Sequence, residues 1–141
     1  MKTKTLLLIL VILAFSLSRG SAQSLQKGSV LGLHTFTLTL NPDVTMNQVI
    51  NFINTRYIPA SEKNFPGSKV YLLYGDRGEN KFKIAILTVF ESVQIRDKYY
   101  PTPEKSTPEA DAANTRMQPV MDELSKMVID YTRVYTDWVI K

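Results

Sequence analysis

His34 is the only histidine in the 141-residue chain and the side chain best suited to proton transfer. An imidazole titrates near neutral pH, so it can act as a general base or polarise a bound phenol. A solitary histidine at the start of a strand is also often structural or simply exposed. His34 is therefore the candidate catalytic residue, and the structural interpretation stays open beside it.

Aromatic rings concentrate in segments that alternate like strands, and four of them are candidate ligand-binding residues: Tyr71, Tyr74, Tyr135 and Trp138, with Tyr131 close by. Such rings could line a pocket for a planar ligand, because they supply apolar area while their polar tips orient it. Tyrosine and tryptophan are also enriched at subunit interfaces, which is the competing explanation. In a regular strand, Tyr135 and Trp138 point to opposite faces.

The composition excludes several common chemistries. The chain has no cysteine, so no thiolate can serve as nucleophile or ligand, and a single histidine leaves no plausible zinc site. Asp76 and Glu79 do not follow an EF-hand pattern, and no Ser/His/Asp triad can be proposed from the spacing. We therefore expect no metal and no cofactor.

The N-terminus has the order of a secretory signal peptide. Lys2 and Lys4 precede an apolar run over residues 6–15, which the small-residue sequence Gly20-Ser21-Ala22 follows. Signal peptidases remove this pattern, and ten apolar residues are too few to span a bilayer. We expect a signal peptide over residues 1–22, a short N-terminal segment over 23–32 and one domain over 33–141, in a secreted or periplasmic protein.

The charge of the mature chain argues against two classes of partner. Without Lys2, Lys4 and Arg19, the 17 basic residues fall to 14 against 13 acidic ones, and the formal charge falls from +4 to +1. A near-neutral chain without a basic cluster lacks the electrostatic footprint of a nucleic-acid binder or a polybasic membrane anchor. We expect neither nucleic acid nor membrane as a partner.

Hydrophobic periodicity predicts four strands and two main helices. Period-two alternation predicts a strand over 33–40, with His34 on its helix side. A polar, glycine-containing segment joins two further strands over 70–74 and 82–90, and aromatic and β-branched residues predict the last over 131–140. Asn41 predicts the start of a helix that Pro59 should kink or end, and Thr107 predicts the start of the second, whose apolar stripe reaches Val128. Ser92 caps a short helical turn, and the mixed-charge residues 96–100 suit a solvated helix end or a pocket lid.

The element order predicts an α+β, ferredoxin-like βαββαβ fold, in which two helices cover one face of a four-stranded antiparallel sheet. The other face needs a cover, because the third strand is apolar on both sides, with Phe82, Ile84, Ile86 and Phe90 opposing Ala85, Leu87 and Val89. The simplest cover is the same face of a second copy. We therefore expect a homodimer through the sheet face.

Several turns resemble those of the dimeric α/β-barrel superfamily, which includes antibiotic-biosynthesis monooxygenase-like and stress-responsive barrel proteins. The resemblance lies in Asn41-Pro42-Asp43, Tyr57-Ile58-Pro59-Ala60, Phe65-Pro66-Gly67, Val70-Tyr71-Leu72-Leu73 and Phe90-Glu91-Ser92. It implies a barrel that can hold an aromatic or hydrophobic ligand, with activities ranging from cofactor-free oxygenation to none known. Trp138 lies in the wrong segment for the haem-degrading branch, so we do not expect haem degradation.

Three functional hypotheses follow. The leading one is a secreted protein that binds a small apolar or aromatic ligand. The second is a cofactor-independent, monooxygenase-like enzyme acting on an aromatic substrate, with His34 and a tyrosine assisting proton removal. The third is a structural or partner-binding subunit. The sequence does not decide whether the protein is an enzyme.

Overall fold

A computed structural model describes residues 25–141 of the chain. The predicted signal peptide over residues 1–22 lies outside this part. The described part forms, in chain order, β1 (Val30–Leu40), α1 (Met46–Phe52), a π-helical turn (Ile53–Tyr57), α2 (Ile58–Asn64), β2 (Ser68–Tyr74), β3 (Ile84–Phe90), α3 (Val93–Tyr99), α4 (Pro108–Ser125) and β4 (Val128–Val139).

The four strands form one antiparallel sheet in the order β2-β3-β1-β4. This order confirms the predicted α+β, ferredoxin-like fold. The first crossover is one continuous helix interrupted by the π-helical turn, and the second contains two separate helices, α3 and α4. Within residues 25–141, no helix combines the length and apolar character needed to cross a bilayer.

The first helix starts at a different cap from the one predicted. Thr45 forms a capping box with Gln48: the Thr45 hydroxyl accepts from the Gln48 amide at 3.3 Å, and the Gln48 side chain accepts from the Thr45 amide at 2.8 Å. The prediction of Asn41 as the cap was wrong. The Asn41 side chain instead donates to the Lys126 carbonyl at 2.6 Å, which joins the end of β1 to the segment before β4.

Pro59 does not end the first crossover helix. The amide of Ile58 donates to the carbonyl of Ile53, five residues back, and this π-helical turn precedes α2. Pro59 therefore lies in the first turn of α2, where its missing N–H is tolerated, and the helix continues to Asn64. Ser92 and Thr107 cap α3 and α4 as predicted.

All four strands begin at other residues than predicted, and β2 begins at Ser68 rather than at 70. β1 begins at Val30 rather than at 33, and β4 begins at Val128, because α4 ends at Ser125 and does not continue the apolar stripe. β3 begins at Ile84 rather than at Phe82. Phe82 has a left-handed backbone (φ 67), which is incompatible with a strand and places it in the hairpin loop.

All helices lie on one side of the sheet, which we call the helix face. Two hydrophobic clusters fill the space between them. One joins Val30 and Phe90 to Phe65, Tyr99 and Met117. The other joins strand residues to the first crossover and consists of Val49, Ile53, Val70, Ile84 and Ile86, with Phe36 and Leu38 packed against it.

The opposite side of the sheet, which we call the open face, is also apolar. Its cross-strand rows contain Tyr71, Leu87 and Leu33, and then Leu73, Ala85, Thr35 and Val134. Val89 at one end is buried, whereas Leu33 and Leu87 at the centre are only partly buried, and Val134 is 72% exposed. The third strand is thus apolar on both faces, as the sequence indicates.

Two glycines with left-handed backbones allow a matched test of the turn before β2. Gly67 has φ 88, and a Cβ there would lie 2.7 Å from the Ile95 Cγ2 atom; Gly78 has φ 81, and nothing lies within 4 Å of its Cβ position. Gly78→Ala should lower the free energy of unfolding by about 1 kcal/mol through backbone strain alone. Gly67→Ala should lower it by about 2–3 kcal/mol, since the clash adds to the strain.

Urea denaturation at one fixed protein concentration measures both variants. A Gly67→Ala cost no larger than that of Gly78→Ala would show that α3 does not pack against this turn as described.

Candidate functional site

His34 lies on the helix face of β1, as predicted, between Ile86 of β3 and Tyr135 of β4. Its half-buried ring stacks on the Tyr135 ring, with centroids 4.5 Å apart and an interplanar angle of 29°. The Phe36 ring follows at 6.3 Å. The only histidine is thus held between rings on a central strand and does not project from a loop into solvent.

The four aromatic residues predicted to bind ligand do not form one pocket. Tyr71 is paired with Leu87, and Trp138 with Leu31, so both lie on the open face. Tyr74 and Tyr135 lie on the helix face but on the two edge strands, β2 and β4. Strand alternation and the width of the sheet separate them, and of the four only Tyr135 meets His34.

A partly buried ion-pair network at the β4 edge of the sheet supports the Tyr135 side of the site. The Arg96 guanidinium on α3 donates to the Asp137 carboxylate at 2.7 Å and to the Asp97 carboxylate at 2.6 Å. The Asp137 carboxylate also lies close enough to the Tyr135 phenol to raise its pKa. The Arg96–Asp137 contact ties α3 to β4.

Gly32 makes room for this network. A Cβ at Gly32 would lie 3.1 Å from Asp137 Oδ1 and 3.8 Å from Tyr135 Cε2. Because Gly32 has no side chain, the Asp137 and Tyr135 side chains of β4 can extend over β1, next to His34.

The site holds His34 neutral and Tyr135 protonated. Burial lowers the pKa of His34 below 6.5, and the Arg133 guanidinium lowers it further, while the Asp137 carboxylate opposes the change. Burial, and then the nearby Asp137 carboxylate, raise the pKa of Tyr135 to about 12, against the effects of Arg96 and Arg133. At neutral pH, His34 can therefore accept a proton or a hydrogen bond, and Tyr135 cannot act as a base.

The helices leave the β4 edge of the helix face uncovered, and its aromatic residues are accessible there. Tyr131 is 58% and Tyr135 41% exposed, although each packs a ring against β1: Tyr131 on Phe36 and Tyr135 on His34. We call His34, Phe36, Tyr131, Arg133 and Tyr135 the aromatic strip.

The sequence analysis missed Arg96, Asp137 and Gly32 as site residues. Asp137 has a detectable signal, since it shares a strand face with Tyr135 at a spacing of two residues. Arg96 has none, because 41 residues separate it from Asp137 and only the folded chain joins them. Residues 96–100 are not merely a solvated helix end, since Tyr99 is buried and Arg96 is engaged.

A separate cleft of about 250 Å³ lies between α2, α3 and α4. Its walls include Asn64, Tyr99 and Arg116, and the Arg116 guanidinium donates to the Asn64 side chain at 2.8 Å. None of the predicted site residues lines it. Within residues 25–141, no group of three or more metal-ligating side chains could hold a metal ion.

No family model matches the chain, and no curated protein matches it either. Solved structures are similar to it. A NIPSNAP family protein of unknown function from Agrobacterium tumefaciens has a TM-score of 0.52 and 8% identity, over 82% of this chain and 92% of that one. An uncharacterised NIPSNAP-like domain protein from Burkholderia xenovorans has a TM-score of 0.50 and 9% identity, over 78% and 84%.

A dimeric protein of unknown function and ferredoxin-like fold from Bacteroides fragilis is 16% identical over 81% of this chain and 98% of that one, with a TM-score of 0.43. The likeness to the two NIPSNAP-type structures supports the fold of the chain and nothing beyond it. Identities this low carry no activity over to the chain.

The pKa of His34 is directly measurable, since the chain contains one histidine. In an NMR titration, the His34 ring signals of the folded protein should have a midpoint below 6.5. Because the unfolded chain then binds more protons than the folded one, the contribution of His34 to stability is complete above about pH 6.5 and is lost as the pH falls through the folded-state pKa.

Arg133→Gln should raise this midpoint, since it removes a charge that lowers the pKa. His34→Gln should remove the corresponding pH dependence of unfolding. A wild-type midpoint at or above 6.5 would contradict the site as described.

Proposed function

We propose that this chain is an exported homodimer that binds a small aromatic ligand on the aromatic strip. The observation that carries the ligand proposal is the stack of a neutral His34 on the accessible Tyr135 ring at 4.5 Å. Accessible apolar rings with a few fixed polar groups are typical of small-molecule sites.

The two polar groups of the stack differ in what they offer a ligand. Neutral His34 offers a hydrogen-bond acceptor, whereas the Tyr135 phenol stays protonated beside the Asp137 carboxylate. A planar ligand can stack along the rings and donate a hydroxyl proton to the imidazole. The Arg96 ion pair restrains Asp137, which lies beside the Tyr135 phenol. The Tyr135 side chain is therefore positioned before a ligand arrives.

A second copy of this chain is the proposed cover of the open face. Among the strand residues of this face, the charged ones are Lys69 and Asp130, which lie at diagonally opposite corners. A twofold axis in the plane of the face can therefore place each Lys69 opposite the Asp130 of the second copy, while the apolar and threonine side chains meet between them. Export is supported by the signal-peptide pattern of residues 1–22.

Native mass spectrometry of the protein purified from its source tests the dimer and the ligand together. We expect twice the mass of the mature subunit plus a retained small molecule, which His34→Gln should weaken or release. A control substitution on the hairpin loop, Arg77→Gln, should leave the retained mass unchanged, since the Arg77 side chain is 91% exposed and pairs with its neighbour Asp76.

A bare monomer would contradict both parts of the proposal. A dimer that never retains a small molecule, at any stage of a gentle purification, would favour a structural subunit instead.

A cofactor-independent oxygenation of a phenolic substrate is the second candidate function. It is favoured by the same neutral imidazole, which can remove a phenolic proton from a stacked ligand. It differs from the binding function in one observable: oxygen uptake with the retained ligand, which His34→Gln should abolish. Retention of ligand without oxygen uptake supports the binding function.

A further inference from the structure

We infer that the ligand of the aromatic strip is a small aromatic carboxylate, and that Arg133 is the residue that recognises its charge. The inference rests on the proposed ligand-binding function and adds the chemical class of the ligand. It follows from the position of Arg133, from the charges of its neighbours, and from the polar partners that the other described arginines have and Arg133 lacks.

Arg133 lies in the middle of the strip. On the helix face of β4 it stands between Tyr131 and Tyr135, and its cross-strand partner on β1 is Phe36. Alternate residues of one strand are about 6.6 Å apart, so a ring resting on either tyrosine brings a carboxylate attached to it within reach of the guanidinium.

Arg133 differs from the other described arginines in having no polar partner. Within residues 25–141 it makes no hydrogen bond or ion pair, whereas each of the others is engaged: Arg56 with Glu123, Arg77 with Asp76, Arg96 with Asp97 and Asp137, and Arg116 with Asn64. A guanidinium is a planar fork whose geometry matches a carboxylate. The unpaired Arg133 guanidinium lies among aromatic rings, so it suits a ligand that combines an aromatic ring with a carboxylate.

The surrounding charges favour a ligand with a single negative charge. Asp137 is the acidic group nearest the strip in this network, and the Arg96 ion pair at 2.7 Å offsets its charge, so it does not repel an anion strongly. His34 is neutral, which leaves Arg133 as the cation of the strip. One cation balances a monocarboxylate better than a phosphate dianion.

An isosteric ligand pair tests the inference. 2-Naphthoate and 2-naphthamide share shape and aromatic area and differ in charge. Titrations followed by the His34 ring signals in NMR should show naphthoate binding at least tenfold more tightly than naphthamide at low ionic strength. Arg133→Gln should remove this preference, while Arg77→Gln, on the exposed hairpin loop, should preserve it.

The titrations distinguish a failure of the carboxylate inference from a failure of the proposed ligand-binding function. Equal affinity of the two ligands for the wild-type protein, or a naphthoate preference that survives Arg133→Gln, would overturn the carboxylate inference and leave aromatic binding intact. If neither ligand shifts the His34 signals, the proposed function itself fails, and the inference fails with it. Arg133 is exposed, so its substitution should leave the fold unchanged, which the His34 spectrum also reports.

Discussion

The structure depends on a sheet whose central strands are apolar on both faces, while the helices cover only one of them. Val30, Ile84 and Ile86 are buried beneath the helices, yet Leu33 and Leu87 on the same two strands face away from them. Removing such a surface from water is favourable by roughly 25 cal/mol for each Å². The open face therefore favours association, and the proposed dimer follows from this constraint.

The uneven cover on the helix face also creates the candidate site. The helices pack over β2, β3 and most of β1, but the β4 edge is left accessible. Its Tyr131 and Tyr135 rings pack on Phe36 and His34 of β1, and the Arg96–Asp137 ion pair joins this edge to α3. Ligand binding and dimerisation are thus assigned to opposite faces of one sheet, and Tyr135 and Trp138, three residues apart, belong to different surfaces.

Local signals in the sequence predicted most of the fold. Alternation in β1 placed His34 on the correct face, and the Ser92 and Thr107 caps were found because capping depends on residues a few positions apart. The sequence did not reveal the Thr45 capping box or the π-helical turn before Pro59, since Asn41-Pro42-Asp43 has the same local chemistry as a cap and Pro59 usually ends a helix. The site was predicted only in part, because the Arg96–Asp137 ion pair and the space left by Gly32 exist only in the folded chain.

The fluorescence of Trp138 tests the central claim most directly. It is the single tryptophan, lies on the open face and is 59% exposed in one copy. The account predicts blue-shifted emission and poor acrylamide quenching in the wild-type protein, and red-shifted, readily quenched emission after Val134→Lys on the same face. Tyr131→Lys, on the helix face of the same strand, should behave like wild type. If acrylamide quenches Trp138 readily and to the same extent in all three proteins, at every concentration, there is no second copy on this face.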